Sequence, residues 1–155
     1  MNYLLVKWLH ILSSTLLFGT GLGSAFYMYF TSRTRDPRVI AVVVRQVVIA
    51  DWVFTTPAVI LQPLTGFYLV HLAGFPLATP WILWSVGLYL LAGAAWLPVV
   101  WMQIRMRNMA ATAAASGADL SPEYWRLLRV WVGLGIVAFA ALVVVFYLMV
   151  AKPVL

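Results

Sequence analysis

The sequence contains no cysteine in 155 residues. That excludes disulfides, thiolate metal sites, iron–sulfur clusters and thioether-linked haem. Charge is nearly as scarce, at 9% of residues, against about 25% in a soluble domain. So few charges cannot cover a water-facing surface, so much of the exterior must face lipid. Carboxylates number only four, and histidines only two. No pair of acids falls within the apolar runs, which leaves acid–base catalysis between carboxylates without its parts.

What is present is apolar: 65% of residues, with a mean hydropathy of +0.98. Roughly 20 such residues span hydrocarbon as a helix. Four runs qualify, and we expect helices over about 3–31, 39–72, 79–107 and 122–151 of a single domain, 1–155. The first run is too long for a signal-peptide core and leads into arginines, as a stop-transfer segment does. Ser121-Pro122-Glu123 supplies a cap, a first-turn proline and a first-turn acid to the fourth helix. Lys152-Pro153 ends it. The small-residue stretch Ala110–Ala118 reads as the most mobile internal segment.

The net charge of +6 does not point to nucleic acid, because the arginines flank apolar runs instead of covering a polar face. Arg33, Arg35, Arg38 and Arg45 surround the first connection, and Arg105, Arg107, Arg126 and Arg129 the third. These are eight of the ten basic residues. The positive-inside rule therefore puts loops one and three in the cytoplasm, against anionic headgroups, with both termini outside. The expected fold class is all-α: a polytopic up-down bundle of four transmembrane helices, in a bacterial-type inner membrane. Lipids are its first partners; a homo-oligomer or a membrane complex stays open.

Several features have ordinary readings. Gly19 and Gly23 form a small-xxx-small pair, which lets a second helix or a flat ligand approach the backbone. The Gly19-Thr20-Gly21-Leu22-Gly23 run lies inside an apolar helix, so it is no dinucleotide fingerprint. Pro57 and Pro63 each remove a donor and should kink the second helix. Most tryptophans and tyrosines fall near the interfaces as anchors. Asp51 is expected to pair with Arg45 or Arg129 at the arginine side.

Ionisable groups inside a bilayer carry a functional hypothesis by default. His10 lies roughly 10 Å below the outer end of helix one, and His71 about one turn below that of helix two, at 1.5 Å per residue. Two imidazoles at one level suit the axial positions of a b-type haem. The ordinary alternative is that His10 bonds a carbonyl, Ser13 or Ser14 and only packs, while His71 is hydrated. Haem ligation by His10 and His71, with Gly19 and Gly23 admitting the flat ring, is carried forward as the cofactor site.

Lys7-Trp8-Leu9-His10-Ile11, Thr56-Pro57-Ala58 followed by Gly66, Trp81-Ile82-Leu83 and Val150-Ala151-Lys152-Pro153 occur in an order and spacing that resemble the HemJ-type protoporphyrinogen oxidases. That resemblance spans most of the chain. It implies a four-helix haem-binding membrane protein, with His10 at the position of the family's required histidine. Where that family has a lysine early in helix three, this chain has Ser85; where it has a later histidine, this chain has Ala95 or Trp96. The sequence is more similar still to an uncharacterised family of integral membrane proteins. The expected function is b-haem binding with electron transfer or a haem-linked oxidation. The alternatives are a cofactor-free subunit for assembly or solute passage, and a protoporphyrinogen oxidase.

Overall fold

The computed structural model describes residues 2–153, and in them four long helices form an antiparallel bundle. Helix α1 is Tyr3–Ser32, α2 is Pro37–Leu72, α3 is Pro80–Ser116 and α4 is Pro122–Ala151. Each is apolar enough to cross a membrane over part of its length. Large apolar side chains are exposed along all four, among them Leu4, Val42, Ile60, Leu90, Leu97 and Ile136. In water this exterior would aggregate; in lipid it is the expected solvent contact.

Local chemistry sets the ends. The Asn2 side chain accepts from Leu4 N at 3.1 Å, and the Asp36 carboxylate from Arg38 N at 2.9 Å. Proline follows the cap in α2, α3 and α4, where its missing N–H leaves no helical bond unmade. The helix α3 does not stop near residue 107. It continues through Ser116, where Gly117 closes it at φ 67°. Alanine has the highest helix propensity, and Met106, Ala110 and Ala113 are buried at helical spacing beside Ile40 and Tyr124 in the core. The stretch expected to be mobile is therefore mostly a packed helix.

The prolines of α2 act differently from each other. Before Pro57 the helix widens into a π-turn, Asp51–Thr55, and Thr56 N–H bonds the carbonyl of Asp51. Such a turn absorbs the mismatch that proline imposes. Pro63 stays within regular helix, but it cannot donate to the Val59 carbonyl four residues back. The Tyr89 hydroxyl of α3 donates to that carbonyl at 2.7 Å. A backbone acceptor freed by proline thus becomes a tie between helices.

The tightest packing lies toward the arginine-bearing ends. There α2, α3 and α4 bury Ile40, Val44, Met102, Met106, Leu128 and Trp131 with Met28 of α1. Tyr124 is fully buried, and its hydroxyl meets Ser32 of α1 at 2.9 Å. Asp51 is 5% exposed and pairs with neither Arg45 nor Arg129. It accepts from the Thr55 hydroxyl at 2.8 Å and lies within hydrogen-bonding reach of Gln103. Arginine heads stay outward, where headgroups and water solvate them more cheaply than a buried pair would. Among the described residues the ion pair is Arg105 with Glu123. Both groups are well exposed, so Arg105→Ala should move the unfolding midpoint in detergent by no more than the scatter of surface pairs, about 0–1 kcal/mol.

Candidate functional site

Helices α1 and α2 are joined by one polar layer. The amide of Gln62 donates to the His10 carbonyl at 2.8 Å and to the Ser13 hydroxyl at 2.6 Å. The Ser13 hydroxyl in turn donates to the His10 carbonyl at 3.1 Å. On the ring side, His10 Nδ1 lies 2.8 Å from the Thr65 hydroxyl. Neither Ser13 nor Ser14 bonds the ring; Ser14 returns to the Ile11 carbonyl.

Thr65 has one hydroxyl proton, and the Leu61 carbonyl at 2.6 Å and His10 Nδ1 at 2.8 Å compete for it. When the carbonyl takes it, the hydroxyl oxygen accepts from His10 and Nδ1 carries the ring proton. The Nε2 atom keeps its lone pair and has no hydrogen-bond partner among the described residues. A neutral imidazole fixed in this way by a donor bond from Nδ1 is the arrangement that metal-binding histidines require. The chemistry of the donor atom fits haem iron.

The other proposed members are not brought to His10. His71 is exposed at the end of α2. It lies five residues beyond Gly66, the residue His10 packs against, which is about 140° round the helix. The common depth expected of the two histidines does not bring a common face. Gly19 and Gly23 follow His10 by nine and thirteen residues, roughly 140–180° round α1. A methyl group at either would meet nothing within 4 Å, so they admit no close neighbour within this chain.

Gly66 is the glycine that matters to His10. A Cβ there would stand 3.2 Å from the ring carbon Cε1. Gly66→Ala should push the ring by a few tenths of an ångström and strain its bond to Thr65. The expected cost is about 1 kcal/mol or less in thermal unfolding. Gly19→Ala, with open space, should cost nothing measurable in the same assay.

A second feature lies deeper in the bundle. A cavity of about 380 Å³ opens between the four helices. Its walls are mainly apolar, but Asp51, Thr55 and Gln103 line it, as do Trp96 and Trp131. Both of those indole N–H groups are buried without a partner. Neither histidine lines this cavity. Sequence reasoning named Asp51 and Trp96 without connecting them. The missing signal was the π-turn, which no local pattern announces.

Comparison with known proteins bears on the chain as a whole. A family model described as predicted integral membrane protein (DUF2269) matches residues 4–153. The chain belongs to that family. The match covers all four helices and the polar layer of His10, Gln62 and Thr65, so these lie inside the shared domain. No curated protein and no solved structure matches. Family membership fixes the protein as integral to a membrane and carries no activity with it.

In place of the lysine expected from the HemJ-type likeness, Ser85 is buried and donates to the Trp81 carbonyl at 2.7 Å. Its hydroxyl is spent on its own helix.

Proposed function

We propose that this protein binds a b-type haem through His10 and serves electron transfer or a haem-linked oxidation in a bacterial-type inner membrane. The observation that carries the reading is the setting of His10: Nδ1 lies 2.8 Å from the Thr65 hydroxyl, whose own proton has the Leu61 carbonyl as an acceptor, and Nε2 has no hydrogen-bond partner among the described residues. The resemblance of the Lys7–Ile11 segment to a haem-binding family supports it. His10 would hold the iron as one axial ligand, and the bound haem would supply a reversible one-electron couple. Gln62 and Ser13 fix the backbone beneath His10, and Thr65 fixes its ring. His71 faces elsewhere, so this chain offers one histidine to the iron.

Absorption spectra of detergent-purified protein test the reading. Expression with added haem should give a Soret band at about one haem per chain. His10→Ala should lose it, and His71→Ala should keep it. Loss in His71→Ala alone, or no Soret band in the wild type, would sink the proposal. Intact assembly and function in His10→Ala would instead favour a cofactor-free helical subunit.

The arginine distribution supports loops one and three on the cytoplasmic side. The chain has no cysteine, so one introduced at Ala78 or Ala118 is the sole thiol. Both positions are exposed in loops. In intact cells whose outer envelope is permeable, an impermeant maleimide should label Ala78→Cys. It should label Ala118→Cys only after the inner membrane is opened. The reverse pattern would invert the orientation.

A further inference from the structure

We infer that Lys7 binds a carboxylate of the haem held by His10 and so turns the haem's propionate edge toward the outer end of α1. The inference rests on the haem reading of His10 and adds the residue that recognises the acid groups of the ligand.

The ligand reaches His10 from outside the bundle. His10 is half-buried, with its ring against Thr65 and Gly66 of α2. Among the described residues, the fully buried side-chain nitrogens without a partner are the indoles of Trp96 and Trp131. His10 Nε2 has no partner either and is not one of these, so it keeps accessible surface. The interior cavity does not touch it. The open side of the ring is therefore the lipid-facing exterior of the α1–α2 pair.

Lys7 stands beside that opening. It precedes His10 by three residues on α1, and residues three apart share a helix face. The step from His10 to Lys7 leads toward the outer end, the direction in which helical side chains tilt here. Lys7 is exposed, and its Nζ lies 6.0 Å from the ring of Tyr3, one turn further out. Its apolar stem thus runs along the outer part of α1 and carries the ammonium toward the interface.

Charge selects the group that Lys7 meets. It pairs with no carboxylate among the described residues, where the ion pair is Arg105 with Glu123. Asp36, Asp51 and Asp119 also belong to the arginine-bearing half. Lys152, the other basic residue outside the arginine clusters, holds its ammonium over Phe75 and Trp81 at 5.3 and 5.9 Å. Haem b has two carboxylates on one edge and is apolar elsewhere. A carboxylate in a bilayer is costly unless a cation or water meets it. Lys7 is the cation beside His10, and it lies on the side where water is near.

The test titrates the detergent-purified apo protein with haem and with haem dimethyl ester, whose carboxylates are uncharged. The Soret band follows both. Lys7→Met keeps the apolar stem and deletes the charge. It should bind haem roughly fivefold more weakly than wild type, the upper range for an exposed ion pair, and bind the dimethyl ester as wild type does. Comparing two proteins with one ligand cancels the partitioning of that ligand into detergent. Lys7→Arg should keep wild-type affinity for haem, and so should Lys152→Met. Lys7 is exposed, so the circular dichroism of Lys7→Met should match wild type. Equal haem affinity in wild type and Lys7→Met, the result for a lysine that only anchors to lipid phosphate, would overturn the proposal. So would an equal loss for both ligands, which would place Lys7 in helix packing instead. Either result leaves the wild-type Soret band, and with it the haem reading, standing; absence of that band in wild type removes both.

Discussion

Thr65→Val should weaken haem retention by roughly 10–100-fold, the usual effect of removing the group that orients a metal-binding histidine. Valine copies the shape of threonine and deletes its oxygen. The His10 Nδ1–H then loses its acceptor at 2.8 Å, and the imidazole is free to move its proton to Nε2. That tautomer presents no lone pair to iron. The Leu61 carbonyl loses only a supplementary donor, since it remains inside regular helix. Thr65→Ser restores the hydroxyl and should return most of the affinity, though serine holds its rotamer less firmly. Haem titration into the apo forms of the three proteins measures this directly. Equal affinity for the valine and threonine forms would show that the Thr65 bond has no part in ligation. It would leave the Soret test on His10→Ala to decide the cofactor itself.

Tyr124→Ala should produce the largest loss of stability of any single change considered, about 3 kcal/mol by comparison with aromatic truncation in other cores. Tyr124 is fully buried among Met28, Ile40, Met106, Ala110 and Leu120. In a membrane the apolar transfer term is weak, because lipid is as apolar as the core. Packing contacts are not weak in that way, and truncation forfeits those of the whole ring. The Ser32 hydroxyl, also fully buried, would lose its partner at 2.9 Å. Tyr124→Phe separates the two effects. It keeps the ring and should cost about 1 kcal/mol, near the average of hydrogen bonds measured between membrane helices. Reversible unfolding in mixed micelles gives both values. A phenylalanine variant as unstable as the alanine variant would mean that the hydroxyl pair, and not packing, holds α4 to α1. This change lies far from His10 along α1, so a folded fraction of either variant should keep its Soret band.

How far the sequence reaches differs between fold and site. Four apolar runs, the Ser121-Pro122 start of the last helix and eight clustered arginines were enough for an antiparallel all-helical membrane bundle. The end of α3 was misplaced because alanines without apolar periodicity look mobile. They are held by Met106, Ala110 and Ala113 packing on the core, a long-range fact. Likewise Pro63 announced a freed carbonyl, but only the tertiary structure supplied Tyr89 of another helix to meet it.

The site was legible one residue at a time. His10 stood out because ionisable groups in hydrocarbon are costly, and depth could be counted from the helix end. Its partner could not be named. Depth depends on rise along one helix, whereas facing depends on how two helices are rotated about their axes, and rotation is settled by packing. That is why the level expected of His71 said nothing of its direction, and why Gly19 and Gly23 fell on the far side of α1 from the ring.

The sequence by itself determined the solvent: a chain this apolar, with charge confined to its turns, must satisfy its backbone inside helices that lipid surrounds. Only the tertiary structure decided which polar side chains meet. It set Thr65 and Gln62 against His10, gathered Asp51 and Gln103 from separate helices, and left two indole donors buried without acceptors. Those pairings depend on helix rotation and on a π-turn that shifts every later residue of α2 around its axis, and no local pattern of residues encodes either.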